Sequence, residues 1–223
     1  MTRGPHDAEI LHATYSAGVR YLDHVLGALF DDLRESGMWD QLLVVVTSDH
    51  GEEFDDHGGF GHHTLYDEIT RVPLLIKWPH GARAGFTRGT VCSSVDLAPT
   101  LLEFAGCPTD GLQGSHLHRR QDDAPIFIGT LDRAVVEDGY KAIFSYRSRP
   151  VQLFNLVTDP QELTNLAEVE PERVRNLEGI LRVQDDRDIA LWQRIGSVLD
   201  PKGVELSDSE RERLKAFGYL SSE

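Results

Sequence analysis

Leu42-Leu43-Val44-Val45-Val46-Thr47-Ser48-Asp49-His50-Gly51-Glu52-Glu53 is an aliphatic run that ends on an acid, an imidazole and a glycine. Five consecutive branched residues, Leu42 to Val46, predict a strand buried on both faces of a parallel sheet. In open α/β sheets, ligand sites lie at the carboxyl ends of strands, so Asp49 and His50 fall where chemistry is expected. Adjacent residues of an extended strand point to opposite faces; the two can meet one ion only if the backbone bends, which Gly51 permits. Aspartate supplies a hard oxygen and histidine a borderline nitrogen, a mixture that admits Ca²⁺, Mg²⁺, Mn²⁺ or Zn²⁺. Taken alone, the tripeptide reads first as a turn-forming Asp beside a surface His.

Upstream, Val19, Leu22, Val25, Leu26, Leu29, Phe30 and Leu33 recur at three- and four-residue steps. They predict one apolar helix face between Asp7 and Gly37, the glycine closing the helix. Downstream, a loop rich in Gly, His and Asp runs from Ser48 to about His63, and Val72 to Ile76 offers a second buried strand. Loops of that length are functional or disordered. Val95 to Ala105 predicts a helix with Asp96 as N-cap and Gly106 at its end. Three apolar runs, Ile126–Ile128, Ala142–Tyr146 and Val151–Leu156, predict a small antiparallel strand group. From Glu162 the chain is charged and helical, with Leu177, Ile180, Leu181, Ile189, Leu191, Trp192 and Ile195 as packing residues.

The spacing beyond Gly51 sharpens the reading. His62 and His63 follow Asp49 by thirteen and fourteen residues, then come Leu65-Tyr66-Asp67-Glu68 and Arg71-Val72-Pro73-Leu74. In this order, these segments resemble the second metal-binding block of sulfatases, in the alkaline-phosphatase superfamily. Tyr15 to Asp23 resembles the helix before that block, and Val95-Asp96-Leu97-Ala98-Pro99-Thr100-Leu101-Leu102 the helix after it. Tyr140-Lys141-Ala142-Ile143, Leu153-Phe154-Asn155-Leu156 and Asp159 to Leu166 resemble the family's C-terminal subdomain.

The resemblance implies an α/β fold: a partial sulfatase-like sheet flanked by helices over residues 1–110, and a small C-terminal α+β lobe with a helical tail over 111–223. It implies Asp49 and His50 as metal ligands, although many members carry Asn at the second position. It implies His62, with His63 as the alternative, beside the sulfate group and leaving oxygen as catalytic residues. The cofactor implied is a divalent metal, Ca²⁺ first, with Mg²⁺, Mn²⁺ and Zn²⁺ admitted by the same donors. The parent reaction would be hydrolysis of a sulfate ester on a small molecule or glycan. Rival readings are a phosphodiester or phosphonate monoester hydrolase or a phosphoryl transferase of the same superfamily, and a non-catalytic remnant.

Sulfatases use a formylglycine nucleophile made within a Cys/Ser-x-Pro-x-Arg motif. No such motif occurs in the 223 residues, since Cys92 precedes Ser93-Ser94 and Cys107 precedes Pro108-Thr109. The paired aspartates of the family's N-terminal metal block are also lacking, and Asp55-Asp56 is a poor substitute. The expectation is the C-terminal half of a sulfatase, inactive alone and completed by an N-terminal half carrying the formylglycine.

Composition sets the outer limits. A formal charge of −15 opposes a nucleic-acid phosphate track. The longest apolar run, Leu42 to Val46, is far below the ~20 residues of a membrane span. The first thirty residues lack a signal-peptide pattern, so a soluble chain is expected, with its compartment unassigned. Cys92 and Cys107 read as small buried hydrophobes, and His116, His118, Arg119 and Arg120 as a solvated turn.

Overall fold

The computed structural model describes residues 6–89, 91–121, 123–129, 132–145 and 150–196. Two compact units divide the chain, residues 1–181 and 182–223.

The first unit opens with helix α1, Asp7–Glu35. It closes on Gly37, whose φ of 71° suits a residue without a Cβ. No residue of α1 is buried, and Val19, Leu22, Val25 and Leu29 stand exposed along its apolar face. Ring contacts anchor it: Tyr15 meets Phe54 edge-on at 5.3 Å, and Phe30 meets Trp39 at 5.2 Å.

Strand β1, Val44–Thr47, pairs with β4, Leu74–Lys77, in the register Val45↔Ile76. The pair is antiparallel and half-buried, which corrects the expectation of a strand covered on both faces in a parallel sheet. Aliphatic density fixes that a strand forms; it does not fix which neighbours cover it. Between them lie the short strands β2, Glu53–Phe54, and β3, Phe60–Gly61, and the one-turn helix α2, Asp67–Thr70.

Helix α3, Leu97–Phe104, follows a 3₁₀ turn, Ser94–Asp96. Asp96 stands at the N-cap position of α3, but its side chain does not cap that helix. It is fully buried and accepts from the Ser93 N–H at 3.0 Å, the Ser115 N–H at 2.8 Å and the Arg120 guanidinium at 3.0 Å. Arg120 is buried as well and reaches the carbonyls of Ala124 and Pro125. His116 lies 2.9 Å from Glu103, which Arg119 also contacts. The 116–120 segment is therefore an anchored corner rather than a solvated turn, since a buried charge must be paired. Neither cysteine is buried: Cys92 is half-buried and Cys107 exposed.

The strand group is a four-stranded antiparallel meander: β5 Ile126–Gly129, β6 Arg133–Glu137, β7 Tyr140–Phe144 and β8 Gln152–Asn155. The expected Ala142–Tyr146 run is shifted towards Tyr140, and Tyr146 lies outside the described residues. Strand β6 escaped the sequence reading. Asp138-Gly139, both at positive φ, makes the two-residue hairpin that joins it to β7.

Alternate residues pack opposite faces. Val135, Ala142 and Leu153 meet Leu177 and Leu181 of helix α4, Pro171–Gly196, while Ala134, Ile143 and Phe154 meet Leu65 and Tyr66 of the loop before α2. Each fully buried large apolar side chain stabilises by about 1.5–3 kcal/mol. The second face thus ties the meander to the segment that carries the candidate site.

In the second unit, α4 continues to Gly196, and Gln184 donates to Asp188 at 2.8 Å. Ile189 and Trp192 are exposed there rather than packed, and the side chain of Ile195 lies outside the described residues.

Candidate active site and metal centre

The loop after β1 is held by its own backbone and by one buried carboxylate. Gly51 donates to the Ile69 carbonyl at 2.7 Å and Glu52 to the Glu68 carbonyl at 3.1 Å, pressing the chain against α2. A Cβ on residue 51 would lie 2.0 Å from the Glu68 oxygen, so this glycine answers a demand for space. Glu53, only 2% exposed, accepts from the His57 N–H at 3.1 Å, the Gly59 N–H at 2.9 Å and the Thr64 hydroxyl at 3.2 Å. The loop is therefore ordered around Glu53, and the β2–β3 pairing carries His62 back beside Glu52.

Asp49 projects from the end of β1 with its side chain 82% exposed. Its Oδ1 accepts from the His50 N–H at 3.0 Å, and that backbone donor holds the carboxyl below its ordinary pKa. The other oxygen, Oδ2, stands 3.9 Å from His50 Nε2. His50 Nδ1 lies 2.8 Å from the Gly51 carbonyl. A carbonyl only accepts, so Nδ1 carries the proton and Nε2 keeps its lone pair for a ligand.

The His62 ring stacks on His50 at 4.2 Å, and its Nδ1 lies 3.4 Å from Glu52 Oε2. His63 is a further step out, its ring 5.2 Å from that of His62. A donor atom from each of His50, Glu52 and His62 falls within 4.8 Å of the others. Two imidazoles and a carboxylate form a donor set that fits a divalent cation, and Asp49, 3.9 Å from His50 Nε2, is not among these three clustered donors.

Glu53, His57 and Glu68 make a second cluster of the same span. Its lone pairs are spent. His57 Nδ1 donates to Glu68 at 2.5 Å, its Nε2 to the carbonyls of Gln161 at 3.1 Å and Glu162 at 3.3 Å, and Glu53 accepts three bonds. Because every partner of the His57 ring is an acceptor, the ring is an imidazolium. Burial opposes that charge, but Glu68 and the two carbonyls outweigh it and raise the pKa. His57 also stacks on Tyr66 at 3.6 Å, so it braces the loop against the 159–162 turn.

Sequence alone gives no role to Glu52, Glu68 or the Lys141–Glu162 pair, and it reads His57 as a loop polar group rather than the brace it forms. A cavity of about 960 Å³ is lined by Thr47, Arg71, Trp78, Phe86, Arg88 and Cys92 among others, and by none of Asp49, His50, His62 or His63. The chemistry is not inside it.

Residues 3–107 match the family model described as Sulfatase. The chain belongs with the sulfatases, in the alkaline-phosphatase superfamily. It is similar to the N-acetylglucosamine-6-O-sulfatase of Bacteroides thetaiotaomicron, 39% identical over 46% of this chain and 19% of the relative. It is similar also to arylsulfatase K of Danio rerio, 31% identical over 77% of this chain and 36% of the relative. Among solved structures, a protein in complex with its substrate D-glucosamine-2-N,6-O-disulfate superposes with a TM-score of 0.65 at 25% identity, over 84% of this chain and 41% of that one. This sulfatase-family chain thus spans well under half the length of these relatives. Among the described residues, no helix is long and apolar enough to cross a membrane.

Proposed function

We propose that this chain supplies the metal-binding and proton-donating part of a sulfate-ester hydrolase site. The observation that carries the reading is the pairing at the end of β1, where His50 Nε2, left with its lone pair by the Nδ1 contact to Gly51, stands 3.9 Å from Asp49 Oδ2. Asp49, held below the usual carboxylate range, stays ionised through neutral pH and so remains a ligand. A divalent cation bound there supplies Lewis-acid polarisation of the sulfuryl oxygens. One of the two loop imidazoles, His62 or His63, delivers a proton to the leaving oxygen, a role worth roughly 10²- to 10⁴-fold. The nucleophile in this reading would be supplied by a segment carrying the Cys/Ser-x-Pro-x-Arg motif, a five-residue pattern that does not occur in the 223 residues. Sulfated sugars are the substrate class, supported by the substrate of the structural neighbour at 25% identity.

The test is to co-express the chain with the N-terminal half of a related sulfatase and the formylglycine-generating machinery, then assay aryl sulfate and glucosamine 6-sulfate hydrolysis. Turnover that appears only with both halves, stops on chelation and is abolished by Asp49→Ala supports the reading. Turnover indifferent to chelator and to Asp49→Ala, or robust turnover by the 223 residues alone, overturns it.

A further inference from the structure

We propose that His50, Glu52 and His62 together hold a borderline divalent ion of the Zn²⁺ class, so that His62 is a metal ligand and His63 is the imidazole left for proton transfer. The inference rests on the reading above that this site is a metal-dependent hydrolase centre, and it names the ion and the extra ligands.

Three observations carry it. The first is spacing: His62 Nδ1 and Glu52 Oε2 stand 3.4 Å apart. That is long for a charge-assisted hydrogen bond, about 2.7–2.9 Å. It equals the edge of a tetrahedron with zinc–ligand bonds of about 2.0–2.1 Å, which is about 3.4 Å. The second is orientation. A histidine that ligates through one nitrogen donates its other N–H to a carbonyl or carboxylate, and His50 does so to Gly51 at 2.8 Å. The third is support: His50 and Glu52 flank a glycine bonded to α2, and the β2–β3 pair returns His62 to them, so the donors sit on braced backbone.

The donor types choose the ion. Ca²⁺ takes six to eight oxygens, whereas two imidazole nitrogens and a carboxylate suit Zn²⁺ and its neighbours. This departs from the Ca²⁺ expected from the resemblance. Asp49 Oδ2 stands 3.9 Å from His50 Nε2 but is not one of the three clustered donors. The His50 and His62 side chains are roughly half exposed, so an ion held there keeps an open face for water or a substrate oxygen. The Glu53–His57–Glu68 cluster offers the internal contrast, since it has the same span but no free lone pair on its imidazole.

The experiment uses the 223-residue chain. Zn²⁺ is titrated against a chromophoric chelator, Co²⁺ is followed by its visible d–d bands, and Ca²⁺ is added as a competitor. Expected are one tight Zn²⁺ equivalent, a Co²⁺ spectrum with nitrogen ligation, and no displacement by Ca²⁺. His62→Ala and Glu52→Gln should each weaken Zn²⁺ binding by at least roughly 10- to 100-fold, the loss seen even for supporting groups, while His63→Ala binds as wild type. Circular dichroism checks the fold of each variant. If one is misfolded, ring ¹⁵N shifts of the wild-type histidines decide, and those of His50 and His62 must move on adding Zn²⁺. Wild-type affinity in His62→Ala and Glu52→Gln overturns the inference, and leaves the proposed function standing if Asp49→Ala and His50→Ala lose the metal. A loss in His63→Ala equal to that in His62→Ala, or no Zn²⁺ binding by the wild type, also overturns it. The complementation assay, read separately, judges the hydrolase reading.

Discussion

Lys141 and Glu162 meet inside the protein, Nζ to Oε1 at 2.9 Å, with both side chains at zero exposure. Lys141 belongs to the C-terminal meander and also donates to Asp67 at 2.9 Å, while Glu162 Oε2 accepts the Asp67 N–H at 2.6 Å. The pair therefore fastens β7, α2 and the 159–162 turn at one point, and α2 is the element against which the site loop is pressed. Burial raises the Glu162 pKa, and Lys141 is the main influence holding it down. Lys141→Met leaves a buried acid without its cation, so it should destabilise by about 3–5 kcal/mol. Lys141→Met with Glu162→Leu should recover much of that. Urea unfolding of the two variants checks this, and equal stabilities would mean that Asp67 alone holds the junction.

His57 gives this junction a pH dependence. Its pKa is raised above the ordinary 6.5, so its stabilising contribution is complete below that value and is lost as pH climbs through the raised one. The groups facing it are Glu68 on α2 and the carbonyls of Gln161 and Glu162 on the turn, with Tyr66 against the ring. The Tm difference between wild type and His57→Gln should be largest below the ordinary imidazole value and shrink as pH climbs through the raised one. A difference that grows with pH would mean that the ring is neutral in the folded protein.

Gly51 is the backbone contact on which the site depends. With a Cβ only 2.0 Å from the Glu68 oxygen, Gly51→Ala must push the loop off α2. Overpacking of this kind costs roughly 1–3 kcal/mol. Because the displaced residues lie between His50 and Glu52, metal affinity should fall along with the urea midpoint. Unchanged affinity in a destabilised variant would show that the donors find one another without α2.

These relationships mark where sequence reading stops. The helical period of Val19 to Leu33, the aliphatic run before Asp49 and the run at Leu74 are local signals, and each became the expected type of element. Pairing is not local. Nothing in Val44–Thr47 says that its partner is antiparallel, and Asp96 looks like a helix cap until Arg120, twenty-four residues on, is found on its carboxylate. His116 to Arg120 look solvated for the same reason. Asp49, His50, His62 and His63 could be named because acid and imidazole types carry chemistry wherever they lie. Glu52 gains meaning only when the β2–β3 pair returns His62 to it, and His57 only when the turn from Gln161 arrives 104 residues later.

The apolar face of α1 makes a separate prediction. Tyr15, Val19, Leu22, Val25 and Leu29 are all exposed along one helix, and a contiguous apolar patch beyond a few hundred Å² is rare on a monomer. The purified chain should bind a hydrophobic dye or self-associate on sizing. Leu22→Gln with Leu29→Gln should suppress both while changing stability by only about 0.5 kcal/mol, as for other surface substitutions. A dye-silent monomer would show that the face is covered.

The division of labour between His62 and His63 can be read kinetically in the two-half hydrolase described above. If His63 is the proton donor, His63→Ala should lower kcat by roughly 10²- to 10⁴-fold, and most for esters with poor leaving groups, whose oxygen most needs the proton. Added metal should not restore it, because the ion is already in place. His62→Ala should behave differently: its loss is one of metal occupancy, so turnover should recover as Zn²⁺ is raised, and the sensitivity to leaving-group pKa should match wild type. Glu52→Gln should follow His62→Ala, since the two donor atoms stand 3.4 Å apart and belong to the same three-donor cluster. The reverse pattern, with His62→Ala insensitive to metal and steepest for poor leaving groups, would assign the proton to His62 and return Glu52 to the role of orienting it.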